Sequence, residues 1–268
     1  MKLFKDQNLA VRLETTEGLS CEAYAKGNGI LHPDQGNKSA RIGGGIATFA
    51  GRHSPISQVF GFGIDSFITP EVLEELEDFF FDEGCDVNIE TCPFADLSVG
   101  HAIQNRGYFI SEFSNVLVRD ISSFDAGSDT RHRVETVTDE NAEAWTRVLT
   151  EGWSGSPDDS FVLDLARSMY VTDSYSKLLV YDGEEPAGAG CVFVSDDIAL
   201  FFGHTTIRQS RGKGVQASLI AASLDTARSA SATLAMAVTA PGSISQRNFE
   251  RTGFDLAYSR FKLTRVHG

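Results

Sequence analysis

One order of structural signals occurs twice in this chain, at a spacing near 146 residues (Gly107 to Gly253), and it limits the fold more than any other feature. In the second half, two strand-like runs over 187–194 and 198–207 flank the polar turn Ser195-Asp196-Asp197. A helical pattern over 215–228 follows, with Val215, Leu219, Ile220, Leu224 and Ala227 at helical spacing. Next come a buried-looking strand over 232–239, Pro241, a polar helical segment closed by Gly253-Phe254, and a last strand over 258–266. The first half repeats the series. Strands are expected over 43–50 and 57–64. A helix over 70–82 opens on Pro70 and carries the apolar stripe Val72, Leu73, Leu76, Phe79 and Phe80. A strand over 85–91, Pro93, a polar segment ending at Gly107-Tyr108, and a strand over 113–121 complete it. The chain is therefore expected to be α/β, with two copies of one αβ unit over 1–125 and 130–268. The polar, Gly/Ser-containing stretch 122–129 is the expected linker.

Bulk properties narrow the function. Hydrophobic content of 41% and charged content of 22% suit a soluble globular protein. The formal net charge is −14; residues 1–125 carry 9 Lys and Arg against 19 Asp and Glu, and residues 126–268 carry 14 against 18. So acidic a surface argues against sequence-independent nucleic-acid binding, which needs clustered cations. No stretch approaches the ~18 uninterrupted apolar residues of a membrane span, and residues 1–6 have no signal-peptide core. The cytoplasm is the default compartment. Cys21, Cys85, Cys92 and Cys191 form no CxxC pair and no histidine stands at zinc spacing, so no metal site is expected. Cys191, in an apolar run, reads as a buried thiol. The Phe79-Phe80-Phe81 run reads as core, and the acids Glu71, Glu74, Glu75, Glu77 and Asp78 as a solvated helix face.

The chemistry gathers at Arg211-Gly212-Lys213-Gly214-Val215-Gln216, between a strand and a helix. Glycines let backbone approach a ligand with no Cβ in the way, and a helix N-terminus offers unpaired N–H groups and a positive dipole end. That combination is a phosphate cradle. The matching junction of the first copy, Asp65-Ser66-Phe67-Ile68-Thr69, has no basic residue and no paired glycines, and Asp65 repels a phosphate. A P-loop reading lacks the Gly-x-x-x-x-Gly-Lys-(Ser/Thr) spacing.

Strand, Arg211-x-x-Gly214-x-Gln216, helix, strand, helix, Gly253-Phe254 and a last strand resemble the GNAT superfamily of acyl-CoA-dependent N-acyltransferases. The resemblance covers 132–268 well and 1–125 as a degenerate copy, a tandem arrangement with one CoA site. It implies two units, each a mixed, mostly antiparallel sheet flanked by helices, and acetyl-CoA or coenzyme A as cofactor. It implies acyl transfer to a small-molecule or peptide amine; the competing reading is a catalytically silent CoA-binding sensor or scaffold. By the same resemblance the pantetheine lies along His204, Thr205 and Thr206. The pyrophosphate lies on Arg211, Gly212, Lys213, Gly214, Val215, Gln216 and Ala217, with Ser245 and Asn248 near the cofactor. Phe249 occupies the family's usual tyrosine-acid position and Gly242 its usual asparagine. His204 and Tyr258 are the candidates left for proton transfer, with a plain strand histidine the alternative for His204. Residues 150–159 resemble the loop that lines the acceptor pocket, where Glu151 and Trp153, with Asp158 and Asp159, are candidates to hold a cationic amine. For the aspartates a solvated turn is the alternative. Arg247 and Arg251 are either a solvated face or contacts to the CoA 3′-phosphate. The acceptor's identity, the oligomeric state and any part played by the first copy are left open.

Overall fold

The computed structural model describes residue 3, residues 5–124 and residues 131–268, so most of the expected linker falls outside the described residues. The chain forms two compact units: Met1–Val116 together with Leu256–Gly268, and Leu117–Asp255.

The first unit begins with α1 (Gln7–Leu31), capped by Asp6, whose carboxylate accepts the Leu9 N–H at 2.9 Å. It continues through β1 (Lys38–Ile42), β2 (Gly45–Phe49), β3 (Gln58–Phe60), α2 (Pro70–Phe81), β4 (Val87–Thr91) and α3 (Leu97–Ala102). The first part of β5 (Phe109–Asp120) and the chain's last strand, β11 (Asp255–Arg265), complete it. Its sheet runs β1-β2-β3-β4-β11-β5. All the recorded pairings in it are antiparallel except the parallel junction β3/β4. Phe49, Val59, Phe62, Leu73, Leu76, Phe80 and Ile89 form the core. Phe80 is fully buried, and truncating such a phenylalanine to alanine costs about 3–5 kcal/mol. Glu77 departs from the expected solvated face: it is buried and accepts from Arg106 and Tyr108.

The second unit holds β6 (Val134–Thr136), α4 (Ala142–Ser154), α5 (Ser160–Val171), β7 (Tyr175–Asp182), β8 (Glu185–Ser195), β9 (Ile198–Thr206), α6 (Val215–Ser229), β10 (Leu234–Thr239), α7 (Ile244–Arg251) and the end of β5. Its sheet runs β5-β10-β9-β8-β7-β6. It is antiparallel from β6 to β9, with one parallel junction at β9/β10. Both units are thus mixed, mostly antiparallel sheets flanked by helices.

The units differ from the sequence halves at their ends: β11 belongs to the first unit and the end of β5 to the second. The reason is electrostatic. Arg260 of β11 is buried, and its guanidinium meets Glu14 (3.0 Å), Glu17 (2.7 Å) and Glu90 (3.0 Å), all from the first half. A buried guanidinium is tolerable only with such partners, so β11 goes where they are.

Candidate acyl-CoA site

The site begins where two neighbouring strands part. β10 pairs with β9 only from Leu234↔Ile198 to Ala237↔Phe201. β9 runs on to Thr206, paired there only with β8 (Ala189↔Thr205, Gly188↔Thr206). The β8/β9 register slips between Ala189 and Cys191, opposite Gly203, whose φ of 68° suits glycine. The edge of β9 over 202–206 is therefore free on its β10 side to bond an extended ligand.

Beyond β9 a 3-10 turn over Arg208–Ser210 leads into the glycine loop. Gly212 and Gly214 lie at φ 77° and 96°, which other residues rarely adopt. Gly214 is the N-cap of α6 and supplies no capping side chain; the first turn carries no acid. The first helical bond is Ser218 N–H to the Gly214 carbonyl at 3.1 Å, so the N–H groups of Val215, Gln216 and Ala217 precede it. A helix start of this kind attracts an anion.

Side chains clip the loop in place. Asp182, at the end of β7, accepts from Lys213 Nζ (2.6 Å) and Ser210 Oγ (2.9 Å). Those bonds hold its carboxyl below the usual carboxylate range. His132 Nε2 lies 3.1 Å from the Lys213 carbonyl. Arg211 donates to the carbonyls of Thr206 (3.1 Å) and Gly152 (3.4 Å).

A cleft of about 690 Å³ opens between the end of β9, the glycine loop and α7. Of the twelve residues expected to contact the cofactor, eleven line it: His204, Thr205, Thr206, Arg211, Gly212, Gly214, Val215, Gln216, Ala217, Ser245 and Asn248. Lys213 is the exception, because its ammonium is turned to Asp182. Ser210, Ile244, Arg251 and Thr252 line it too. Arg131 and His132 stand beside Gly214, 3.7 and 3.8 Å from where a Cβ would lie. Neither these two nor Asp182 carries a local sequence signal, since the sheet brings them in from distant positions.

The catalytic candidates fare differently. His204 is stacked between Phe201 (5.9 Å) and Phe249 (5.7 Å). Burial pushes its pKa down to about 3. An imidazole that resists protonation this strongly is a poor general base, so the expectation of a base at His204 does not hold in this environment. Tyr258 lies in the first unit, where its hydroxyl donates to Glu14 at 2.7 Å and its ring meets Phe94 edge-on. It does not line the cleft, so it is no replacement acid there. Phe249 is buried (2% exposed) and packs on Phe254, so the position resembling the family's acid holds a hydrocarbon wall.

Glu151 and Trp153 sit in the last turn of α4 rather than in a loop; the helix ends at Gly155, φ 81°. This end presses on β9 so closely that a Cβ on Gly152 would meet Thr205 Oγ1 at 2.0 Å. Trp153 is partly exposed. Asp159 caps α5 through the Val162 N–H (3.0 Å), which accounts for it without a ligand. Among the described residues no cluster of His, Cys, Asp and Glu could hold a metal ion, and no helix is long and apolar enough to cross a membrane.

No family model and no curated protein matches the sequence. Solved structures do match the fold. A GCN5-related N-acetyltransferase from Kribbella flavida is similar at TM-score 0.65 and 15% identity, covering 97% of this chain and 96% of that one. A conserved protein of unknown function from Staphylococcus epidermidis is similar at TM-score 0.61 and 12% identity, covering 88% and 97%. A tandem GNAT protein from the clavulanic acid biosynthesis pathway is similar at TM-score 0.56 and 12% identity, covering 85% and 79%.

Proposed function

From the fold of the GCN5-related N-acetyltransferases, which this chain has, we propose an acyl-CoA-dependent N-acyltransferase. It moves an acyl group, acetyl in the simplest case, from coenzyme A to a primary amine of a small-molecule or peptide acceptor. The unit Leu117–Asp255 holds the CoA, and the first unit is a degenerate copy. One observation carries the reading: the uncapped glycine N-terminus of α6 opens onto the same cleft as the unpaired end of β9.

The residues present fit the ligand. The N–H groups of Gly212 to Ala217 hold the pyrophosphate, and Arg131 and Arg211 add positive charge beside it. The backbone of His204, Thr205 and Thr206 holds the pantetheine. When bound, the thioester supplies an activated acyl carbonyl. A free N–H on β9 is placed to polarise that carbonyl as charge develops on its oxygen. Phe201, Phe249 and Phe254 pack together behind the His204 ring. The attacking amine must be neutral, and neither His204 nor Phe249 supplies a proton carrier, so solvent carries the protons.

The test is release of free CoASH from acetyl-CoA over a panel of amines, beside calorimetric titration with CoA. Turnover with any amine supports the transferase. Tight CoA binding with no turnover across the panel favours the second reading, a CoA-binding sensor or scaffold, for which Phe249 in place of a proton donor is the specific support.

A further inference from the structure

The imidazole of His204 carries an anomaly that the cofactor reading alone does not explain. Its Nε2 lies 3.2 Å from Ser223 Oγ, on α6. The Ser223 hydroxyl has one hydrogen, and Oγ is only 2.8 Å from the Leu219 carbonyl, which can only accept. The hydroxyl hydrogen is thereby committed to Leu219, and the serine oxygen is left to accept from Nε2–H. In that arrangement Nε2 carries the proton and Nδ1 carries the lone pair, the tautomer that the NMR measurement below checks. Nδ1 is buried and has no hydrogen-bond partner among the described residues. A buried acceptor left unmade costs about 1–3 kcal/mol, so such groups in native proteins are nearly always answered by something.

The cleft indicates what answers it. His204 lines the cavity at the point where β9 runs free of β10. The faces of the ring are covered by Phe201 and Phe249, and the Nε2 edge is closed by Ser223 and by Gly190, where a Cβ would come within 2.5 Å of Cδ2. Only the Nδ1 side of the ring is left without a polar partner. Pantetheine is an extended arm with two amide N–H donors.

We propose that His204 Nδ1 is a tautomer-locked acceptor for a pantetheine amide N–H, with Ser223 as the positioning residue that holds the lock. This rests on the acyl-CoA reading of the cleft. It gives His204 a recognition role in place of acid–base chemistry. It also makes Ser223, which does not line the cavity, a determinant of cofactor affinity.

The experiment compares the full-length wild type with His204→Phe, His204→Asn and Ser223→Ala by calorimetry, using CoASH and, as a probe without the pantetheine arm, 3′,5′-ADP. Asparagine places its carbonyl oxygen close to where Nδ1 stands, whereas phenylalanine has no acceptor. His204→Phe and Ser223→Ala are expected to weaken CoASH about tenfold, the worth of one hydrogen bond. His204→Asn is expected to recover most of that loss, and all four proteins to bind 3′,5′-ADP alike. Nitrogen-15 NMR of the wild-type imidazole is expected to show Nδ1 unprotonated, and Ser223→Ala to shift that signal. CoASH affinity unchanged in His204→Phe, or lost equally in His204→Asn, overturns the proposal. So does a protonated Nδ1 in the wild type. A wild type that binds no CoASH overturns the acyl-CoA reading as well, and is told apart by that single titration.

Discussion

α2 and α6 hold the same place in the order of elements of the two units, each following a strand hairpin, yet their N-termini are opposites. In α2 the first residue is Pro70, which has no N–H. The Thr69 hydroxyl accepts the Val72 N–H at 3.4 Å, and Glu71 sits in the first turn, its carboxyl held low by Thr69 and by its own backbone N–H. Everything an anion would use is already satisfied within the chain. In α6 the cap is Gly214, no side chain caps it and no acid occupies the first turn. A helix start left open to an anion is thus made by leaving out the residues that ordinarily stabilise one. The cost is met by clips from outside the helix, chiefly Asp182.

The largest expected effect removes this difference. Gly214→Asp puts a side chain at φ 96° and a negative charge at the N-cap, so that α6, like α2, carries an acid at its start. CoA affinity is expected to fall at least about 100-fold, from backbone strain and charge opposition together. Calorimetry checks it, and an unchanged affinity breaks the comparison. The same titration gives the stoichiometry: one CoA per wild-type chain is expected, and two would mean that α2 also binds. A smaller effect is expected at the clip. Asp182→Asn keeps the shape but loosens Lys213 and Ser210, and CoA binding should weaken several-fold, since exposed ion pairs are individually modest. Tighter binding would show that Lys213, once released, is itself a phosphate ligand.

The smallest effect sharpens the comparison through pH. Burial raises the Glu14 pKa in the first unit to about 7 and lowers that of His204 in the second to about 3. Burial, helped by the charge of Glu17, favours its neutral form in the folded protein, against the opposing pull of Arg260 and of the Tyr258 hydrogen bond. Its contribution to stability is present below the ordinary carboxylate range and is lost as pH rises through about 7. For His204 the sign reverses: its contribution is present above the ordinary histidine value and is lost as pH falls toward 3. Between pH 5 and 7 amide exchange protection should therefore decline with rising pH around Glu14 and increase around His204. Glu14→Gln and His204→Asn should each flatten one trend.

Much of the fold was legible because periodicity and backbone conformation are local. The helices expected over 70–82 and 215–228 are α2 (Pro70–Phe81) and α6 (Val215–Ser229), and the strand expected over 198–207 is β9 (Ile198–Thr206). The strand expected over 57–64 stops at Phe60, because Gly61 and Gly63 turn to positive φ. α1 gave no clear apolar stripe, since its buried face includes Glu14, Thr16, Gly18 and Ser20. Gly18 is there because a Cβ would meet Ile46 Cβ at 2.8 Å. That reason lies on another element and cannot be read locally. The stretch expected to line an acceptor pocket was the least legible part: Glu151 and Trp153 fall at a helix end packed on β9 through Gly152 and Thr205.

The sequence by itself determined the twofold order of elements and the contrast between the loops at 65–69 and 211–216, because glycine, proline and charge act on their own backbone. Only the tertiary structure decided that β11 joins the first unit, that Lys213 faces Asp182, and that His204 is a neutral ring between two phenylalanines. Each of those outcomes depends on where a side chain finds its partners; apart from Phe201, three residues before His204, they lie tens to hundreds of residues away along the chain.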